Sequence, residues 1–225
     1  MTGLPRSTVR DWRLGYARGS PDGAANDCPL HGRALLDREA YAYLFGLYLG
    51  DGCLSLHRRG VWRLRITLDA KHPGIIGECT AAVSAIRPCK RVGVWYRRDQ
   101  RTAEVSSYWK HWLCLLPQHG RGPKHLRRIE LERWQEEVVH AHPRPFLRGL
   151  IHSDGARIIA TERKGTHVRH APRYAFSNRS EDILQMFAAA CRGVGVHFTR
   201  ASNHQIAIYS KGAVARLDEF IGPKR

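Results

Sequence analysis

Tyr43-Leu44-Phe45-Gly46-Leu47-Tyr48-Leu49-Gly50-Asp51-Gly52 is the stretch on which the reading of this chain turns. Its pattern returns as Phe146-Leu147-Arg148-Gly149-Leu150-Ile151-His152-Ser153-Asp154-Gly155. Both fit Leu-x-Gly-Leu-x-x-x-Asp-Gly. Gly46 and Gly50 fall one turn apart on a helix face, as do Gly149 and Ser153. Small residues at that spacing let two helix backbones approach closely. If the two helices pack on each other, Asp51 and Asp154 emerge side by side at their C-terminal ends. Two carboxylates there repel, and the helix dipoles add negative potential. Folding does not reward that arrangement, whereas divalent cations do. Mg²⁺ is held by one or two carboxylates, substrate phosphates and water. Two such ions can activate a water and stabilise the leaving oxygen in phosphodiester hydrolysis. Gly52 and Gly155 let the chain turn sharply from helix to strand. Taken singly, each Asp-Gly is also a common turn dipeptide, and each small-residue pair is ordinary helix packing.

The elements after each copy match in order. Beyond Gly52 the chain predicts strands at 54–57 and 61–69. In the second, Trp62, Leu64, Ile66 and Leu68 alternate with Arg63, Arg65, Thr67 and Asp69, which is strand period. A helical stripe runs over 73–86. Strands at 91–98 and 103–108 and a helix at 110–116 complete the first copy. The second copy predicts strands at 157–162 and 173–177, a helix at 180–192 with Ser180 as N-cap, strands at 196–200 and 205–209, and a helix at 211–220. The intervening 118–142 is polar and basic, with a helix expected at 130–139.

The chain has 225 residues, 37 Lys+Arg against 20 Asp+Glu, a formal charge of +17, and 43% hydrophobic residues. That suffices for a core and excludes wholesale disorder. A charge this large, spread through every segment, points to nucleic acid as partner. No apolar run reaches the ~18 residues a membrane helix needs, so no membrane is expected. The first residues lack an apolar region, so no secretory signal is expected. Six cysteines without a C-x-x-C pair predict reduced thiols in a cytoplasmic protein, nucleoid-associated if bacterial. Cys28-x-x-His31 has a ligand-like spacing but no second pair nearby, so zinc is not expected.

Over residues 40–222 the chain resembles the LAGLIDADG homing endonucleases in their single-chain, two-motif form. The resemblance implies an α+β fold, a pseudo-two-fold duplicated αββαββα monomer. Two saddle-shaped antiparallel sheets would straddle double-stranded DNA, with the motif helices at the central interface. It implies a Mg²⁺-dependent (or Mn²⁺-dependent) double-strand endonuclease. Asp51 and Asp154 carry over as catalytic metal ligands, with the carbonyls of Gly50 and Ser153 as further ligands. The family also places a basic residue near each cleaved phosphate. Lys110 and Lys211, each between a fourth strand and a helix, are the candidates. Arg148, His152 and Tyr48 depart from the motif's usual small or apolar residues, which puts the helix interface in question more than the chemistry. Some sporulation regulators resemble the same body joined to a helix-turn-helix but have lost the acids, and RNA maturases share the body. Those are the alternatives to a nuclease.

Strand alternation nominates the DNA-facing residues: Arg63, Arg65, Thr67, Arg91, Arg97, Glu104 and Ser106 in the first half, and Arg157, Arg173, Ser177, Arg200 and Gln205 in the second. Arg reads guanine and Gln reads adenine in the major groove. Residues 1–14 resemble part of a helix-turn-helix, with Ser7 capping, Val9 and Trp12 inward, and Arg6, Thr8 and Arg10 outward. Residues 15–34, rich in Gly and Pro, read as a linker. The halves then span 35–118 and 143–225, joined by 119–142. No C-terminal His-Asn marks an intein, so a free-standing enzyme is expected.

Overall fold

A computed structural model describes residues 27–32, 34–87, 90–98, 101–164, 167–222 and 224. The helix-turn-helix-like segment and most of the linker lie outside the described residues. The chain divides after Leu36. In the first unit the Gly32 amide donates to the Cys28 carbonyl, and the Cys28 thiol is 3.3 Å from His31 Nδ1.

The second unit is built twice over. The first copy runs α1 (Arg38–Asp51), β1 (Gly52–His57), β2 (Val61–Asp69), α2 (Pro73–Ile86), β3 (Gly93–Tyr96), β4 (Thr102–Trp109) and the short α3 (Trp112–Leu115). The joining segment holds α4 (Arg133–Ala141). The second copy runs α5 (Pro143–Asp154), β5 (Gly155–Lys164), β6 (His167–Ser177), α6 (Glu181–Gly193), β7 (Thr199–Ser202), β8 (Gln205–Ile208) and α7 (Lys211–Asp218). Each copy forms a four-stranded antiparallel sheet, in the orders β1-β2-β4-β3 and β5-β6-β8-β7. The fold is therefore α+β and duplicated, as expected.

Pairing puts the copies in register. Gly52 pairs Ile66, which pairs Val105. Gly155 pairs Phe176, which pairs Ile206. Arg63 thus corresponds to Arg173, Arg65 to Ala175, Thr67 to Ser177, Glu104 to Gln205 and Tyr108 to Tyr209. In both sheets one face is buried, by Leu64, Ile66 and Val105 in the first and Tyr174, Phe176 and Ile206 in the second. That burial fixes register, because a one-residue slip would expose the whole apolar set.

α1 is apolar all round, and every residue from Tyr41 to Leu49 is buried. Such a helix has no solvent face and must lie at a centre. Asp37 caps its start by accepting from the Ala40 amide at 2.9 Å. Its partner is α5. A β-carbon on Gly46 would lie 2.5 Å from the Phe146 carbonyl oxygen, and one on Gly149 would overlap the Tyr43 carbonyl oxygen. Phe45 and Phe146 stack across the seam at 5.8 Å. The motif departures are absorbed here. Arg148 makes a bidentate pair with Glu78 of α2 (2.8 and 2.6 Å) and donates to the carbonyls of Phe220 and Ile221. The His152 ring meets the Tyr43 hydroxyl at 2.9 Å. Buried polar groups need such partners, and these ones tie the two copies together. Ser180 occupies the N-cap position of α6 without a side-chain cap bond. Instead the Ser180 amide donates to Asn178 Oδ1. None of the described cysteines is in a disulfide, and no helix among the described residues is long and apolar enough to cross a membrane.

Candidate active site

The glycine contacts continue to the ends of the two helices. A β-carbon on Gly50 would fall 2.5 Å from Ser153 Cβ and 2.9 Å from Asp154 Oδ2. So the carboxylate of the second copy lies against the helix end of the first. Gly46, Gly50, Gly149 and Ser153 all line the seam. The Ser153 hydroxyl donates back to the Gly149 and Leu150 carbonyls.

Each aspartate opens into its own pocket, and each pocket is composite. One, of about 550 Å³, is lined by Asp154 together with Gly50, Gly52, Cys53, Lys124, Ser177 and Asn178. The other, of about 920 Å³, is lined by Asp51 together with Ser153, Gly155, Ala156, Thr67, Leu68 and Lys224. Registered positions recur in the two pockets: Cys53 with Ala156, Thr67 with Ser177, Leu68 with Asn178. Each pocket takes its aspartate from one copy and its helix-end neighbour from the other.

The carboxylates are only partly wet. Burial, then the charge of Asp154, pushes the Asp51 carboxyl up to about 6. Burial also raises Asp154, against the opposing hydrogen bond from Asn178 Nδ2 at 2.6 Å. Two lysines offset the negative charge of the pair. Lys124 Nζ sits among the carbonyls of Tyr48, Leu49 (3.0 Å), Gly50 (3.4 Å) and Gly52 (2.7 Å), sharing its three N–H donors among them and closing the C-terminal end of α1. Lys224 Nζ donates to the carbonyls of His152 (3.0 Å) and Gly155 (2.5 Å), closing that of α5. Cations belong at helix C-termini, where unpaired carbonyls gather negative potential. Burial pushes Lys124 down to about 8 and lowers Lys224 as well, while both aspartates pull the other way.

The lysines beside the aspartates are therefore Lys124 and Lys224, whereas Lys110 and Lys211 are exposed and line neither aspartate pocket. The reason is strand polarity. The Thr102 end of β4 borders the Asp51 pocket, and Lys110 lies past its opposite end, roughly 23 Å along at strand rise. Lys211 likewise lies beyond the far end of β8. A sequence signal for the pocket-lining pair exists: Gly122-Pro123-Lys124 recurs as Gly222-Pro223-Lys224. Both glycines turn with positive φ, +77° and +68°.

The open face of the first sheet carries Arg63, Arg65, Thr67, Glu104, Ser106 and Tyr108, opposite the buried Leu64, Ile66 and Val105. Trp95, paired with Glu104 and 57% exposed, shares that face and the parity of Arg91 and Arg97, although it is not among the nominated residues. Arg91 and Arg97 fall outside β3 and are exposed. In the second sheet Arg173, Ser177 and Gln205 lie on the open face, and Gln205 donates to the Ser177 hydroxyl at 2.9 Å. Arg157 and Arg200 do not. Arg157 pairs Tyr174 of the buried face, and its guanidinium grips Asp218 of α7 at 2.7 and 2.8 Å. Arg200 pairs Ile206 and holds Glu181 of α6 at 2.6 Å. Their strands put them on the helix side, so both are corrected from DNA-facing to fold-holding. Arg63 and Arg173 stand over Tyr108 and Tyr209 at 5.4 and 5.8 Å, an equivalence the register requires.

No family model matches this chain, and no curated protein matches it in sequence. Solved structures do match in fold. A mesophilic variant of the homing endonuclease I-DmoI aligns over 82% of this chain and 95% of its own, with 13% identity and a TM-score of 0.50. The LAGLIDADG homing endonuclease I-LtrWI bound to target DNA aligns over 83% and 85%, with 5% identity and a TM-score of 0.51. The LAGLIDADG meganuclease I-AabMI bound to uncleaved DNA aligns over 80% and 82%, with 12% identity and a TM-score of 0.50. The fold is that of the LAGLIDADG homing endonucleases.

Proposed function

We propose that this protein is a site-specific endonuclease that hydrolyses both strands of a DNA duplex with divalent metal. The observation that carries this reading is the pair of half-buried carboxylates at the crossing of α1 and α5, each opening into a composite pocket with a lysine ammonium beside it. Nothing in the packing requires acids there, and their raised pKa values mark a cost to folding. The solved structures of like fold that are bound to DNA add support for a duplex partner, as does the charge of +17.

The donor set fits a hard cation. Each pocket offers a carboxylate and helix-end carbonyls, all oxygen, with an ammonium already gathered at those carbonyls. Asp154 with the Gly50 carbonyl, and Asp51 with the Ser153 carbonyl, would hold Mg²⁺ or Mn²⁺. Such an ion, when bound, supplies an activated water and charge stabilisation at a phosphodiester. Lys124 and Lys224 hold a proton at Nζ close to the carboxylates, where they oppose the charge that grows on a phosphate in the transition state. The open sheet faces supply arginine, tyrosine and tryptophan for the duplex.

A randomised duplex library tests this. Selection with Ca²⁺ recovers bound DNA, and transfer to Mg²⁺ reveals cutting. The expected result is one enriched site, cut in both strands, with cutting lost in Asp51→Asn while binding persists. A site bound but never cut replaces the nuclease by a DNA-binding regulator. No enriched duplex directs the same assay to structured RNA.

A further inference from the structure

Glu104 is the anomaly of the first sheet. It lies on the open face, yet is only 8% exposed, and two guanidinium groups stand against its carboxylate. Arg63 donates to Glu104 Oε1, and Arg65 approaches Oε2 at 3.9 Å. The Nε–H groups of both arginines are buried without a partner, a cost the fold bears for gathering both at one carboxylate. Phosphate binding gives no reason for an acid there, since a carboxylate repels the polyanion and cancels one of two positive charges. The matching positions of the second sheet have no such device. They carry Arg173, Ala175 and Gln205, so one arginine and no acid. Counted over the matching open-face positions, both sheets then present the same net charge. Glu104 therefore adds nothing to attraction. What it changes is freedom: an arginine gripped by a carboxylate from behind cannot swing to whichever phosphate is nearest, and presents its remaining donors in a fixed direction. Fixed guanidinium donors match the paired O6 and N7 acceptors of guanine in the major groove.

We propose that Glu104 is a positioning residue that converts Arg63 and Arg65 from phosphate anchors into guanine readers. The half-site under the first sheet is then guanine-dependent, and the half-site under the second is not read through a buttressed arginine. This rests on the duplex-binding part of the proposed function and is independent of cleavage.

The test is the Ca²⁺ selection repeated with Glu104→Gln and Glu104→Asp, together with affinity measured across a salt series. The half-site under the first sheet is the one whose base preference changes in Arg63→Ala. In Glu104→Gln, guanine preference in that half-site is expected to fall about tenfold or more. Preference in the other half-site is kept, and it also reports that the variant is folded. The salt dependence should steepen by about one to two contacts as the freed arginines find phosphates. Glu104→Asp, which keeps the charge, should retain guanine preference. Unchanged base preference in Glu104→Gln overturns the proposal, as does an equal loss in both half-sites. An enriched site that is never cut in Mg²⁺ removes the nuclease reading and leaves this one standing, whereas no enriched duplex removes both.

Discussion

Lys124 Nζ lies 2.7 Å from the Gly52 carbonyl oxygen, 72 residues back in the chain, and Lys224 repeats the relationship with Gly155 at 2.5 Å and 69 residues. Their placement puts them, rather than Lys110 and Lys211, beside the aspartates. Lys124→Met should slow cutting of the selected duplex by about 10²–10³-fold, the scale seen when one preorganised charge donor is removed. Binding in Ca²⁺ should change little. Lys110→Ala should leave the cutting rate within about twofold, and a larger loss in Lys110→Ala than in Lys124→Met would reverse the assignment.

The Asn178 amide supports Asp154 at 2.6 Å, whereas the matching position beside Asp51 is the buried Leu68. The two pockets are therefore unequal. Strand-resolved kinetics should show one strand of the duplex cut first, with a nicked species building up. Asn178→Leu should abolish that bias by slowing the faster strand about tenfold, on the scale of one hydrogen bond to a charged group. Equal rates on both strands in the unaltered protein would refute the inequality.

Asp51 gives stability a definite sign against pH. Its folded pKa of about 6 is above the unfolded value, so its contribution is whole below about pH 4 and is lost as pH rises through 6. The loss approaches about 3 kcal/mol for a shift of this size. In EDTA, Asp51→Asn should therefore be more stable than the parent at pH 8 and no more stable at pH 4. His152, pushed down to about 4, works oppositely, its contribution present above pH 6.5 and lost as pH falls. It is common to both proteins and cancels in the comparison. Denaturant midpoints across pH decide the matter, and a gap that is constant with pH contradicts it.

Gly149 and Gly77 should respond oppositely to alanine. A β-carbon on Gly149 meets backbone of α1, while one on Gly77, exposed within α2, meets nothing within 4 Å. Gly149→Ala should cost about 3 kcal/mol by overpacking. Gly77→Ala should add about 0.5–1 kcal/mol through helix propensity. Thermal unfolding in one buffer compares them directly.

Arg173→Ala should lower the salt dependence of duplex binding by about one contact. Arg157→Ala and Arg200→Ala should leave it unchanged, because those guanidinium groups hold Asp218 and Glu181. Arg157→Ala should instead lower the unfolding midpoint. A slope change in Arg157→Ala equal to that in Arg173→Ala would return it to the DNA face.

The architecture is legible in the sequence where only one pattern fits. β2 alternates cleanly because Leu64, Ile66 and Leu68 are buried and their neighbours are not, and the apolar stripe of α2 marks its true ends. The glycine seam is legible because small residues at helical spacing recur with an aspartate at a fixed offset. β5 is harder. Ile158 and Ile159 are apolar on both parities, so the alternation that nominates Arg157 is weak there, and the pairing of Arg157 with Tyr174 puts it on the other face. β3 is four residues long, so the arginines chosen from its parity fall beyond it and Trp95 takes their place. Lys124 escapes a reading by periodicity because its position depends on the path of the joining segment. A buried chain of Gln118, Gln135 and Tyr41 sets that path (2.5 and 2.6 Å), and such contacts between distant residues leave no periodic trace.

The crossing of the motif helices also divides ownership of the chemistry. A half expressed alone would carry an aspartate but neither complete pocket, since Asp154 lies beside Gly50 and Lys124 while Asp51 lies beside Ser153 and Lys224. Partial unfolding of either half dismantles both aspartate pockets together. Under the proposed function, a half-made molecule would then cut neither strand, instead of leaving single-strand breaks, and cutting would be restricted to molecules that have closed the seam.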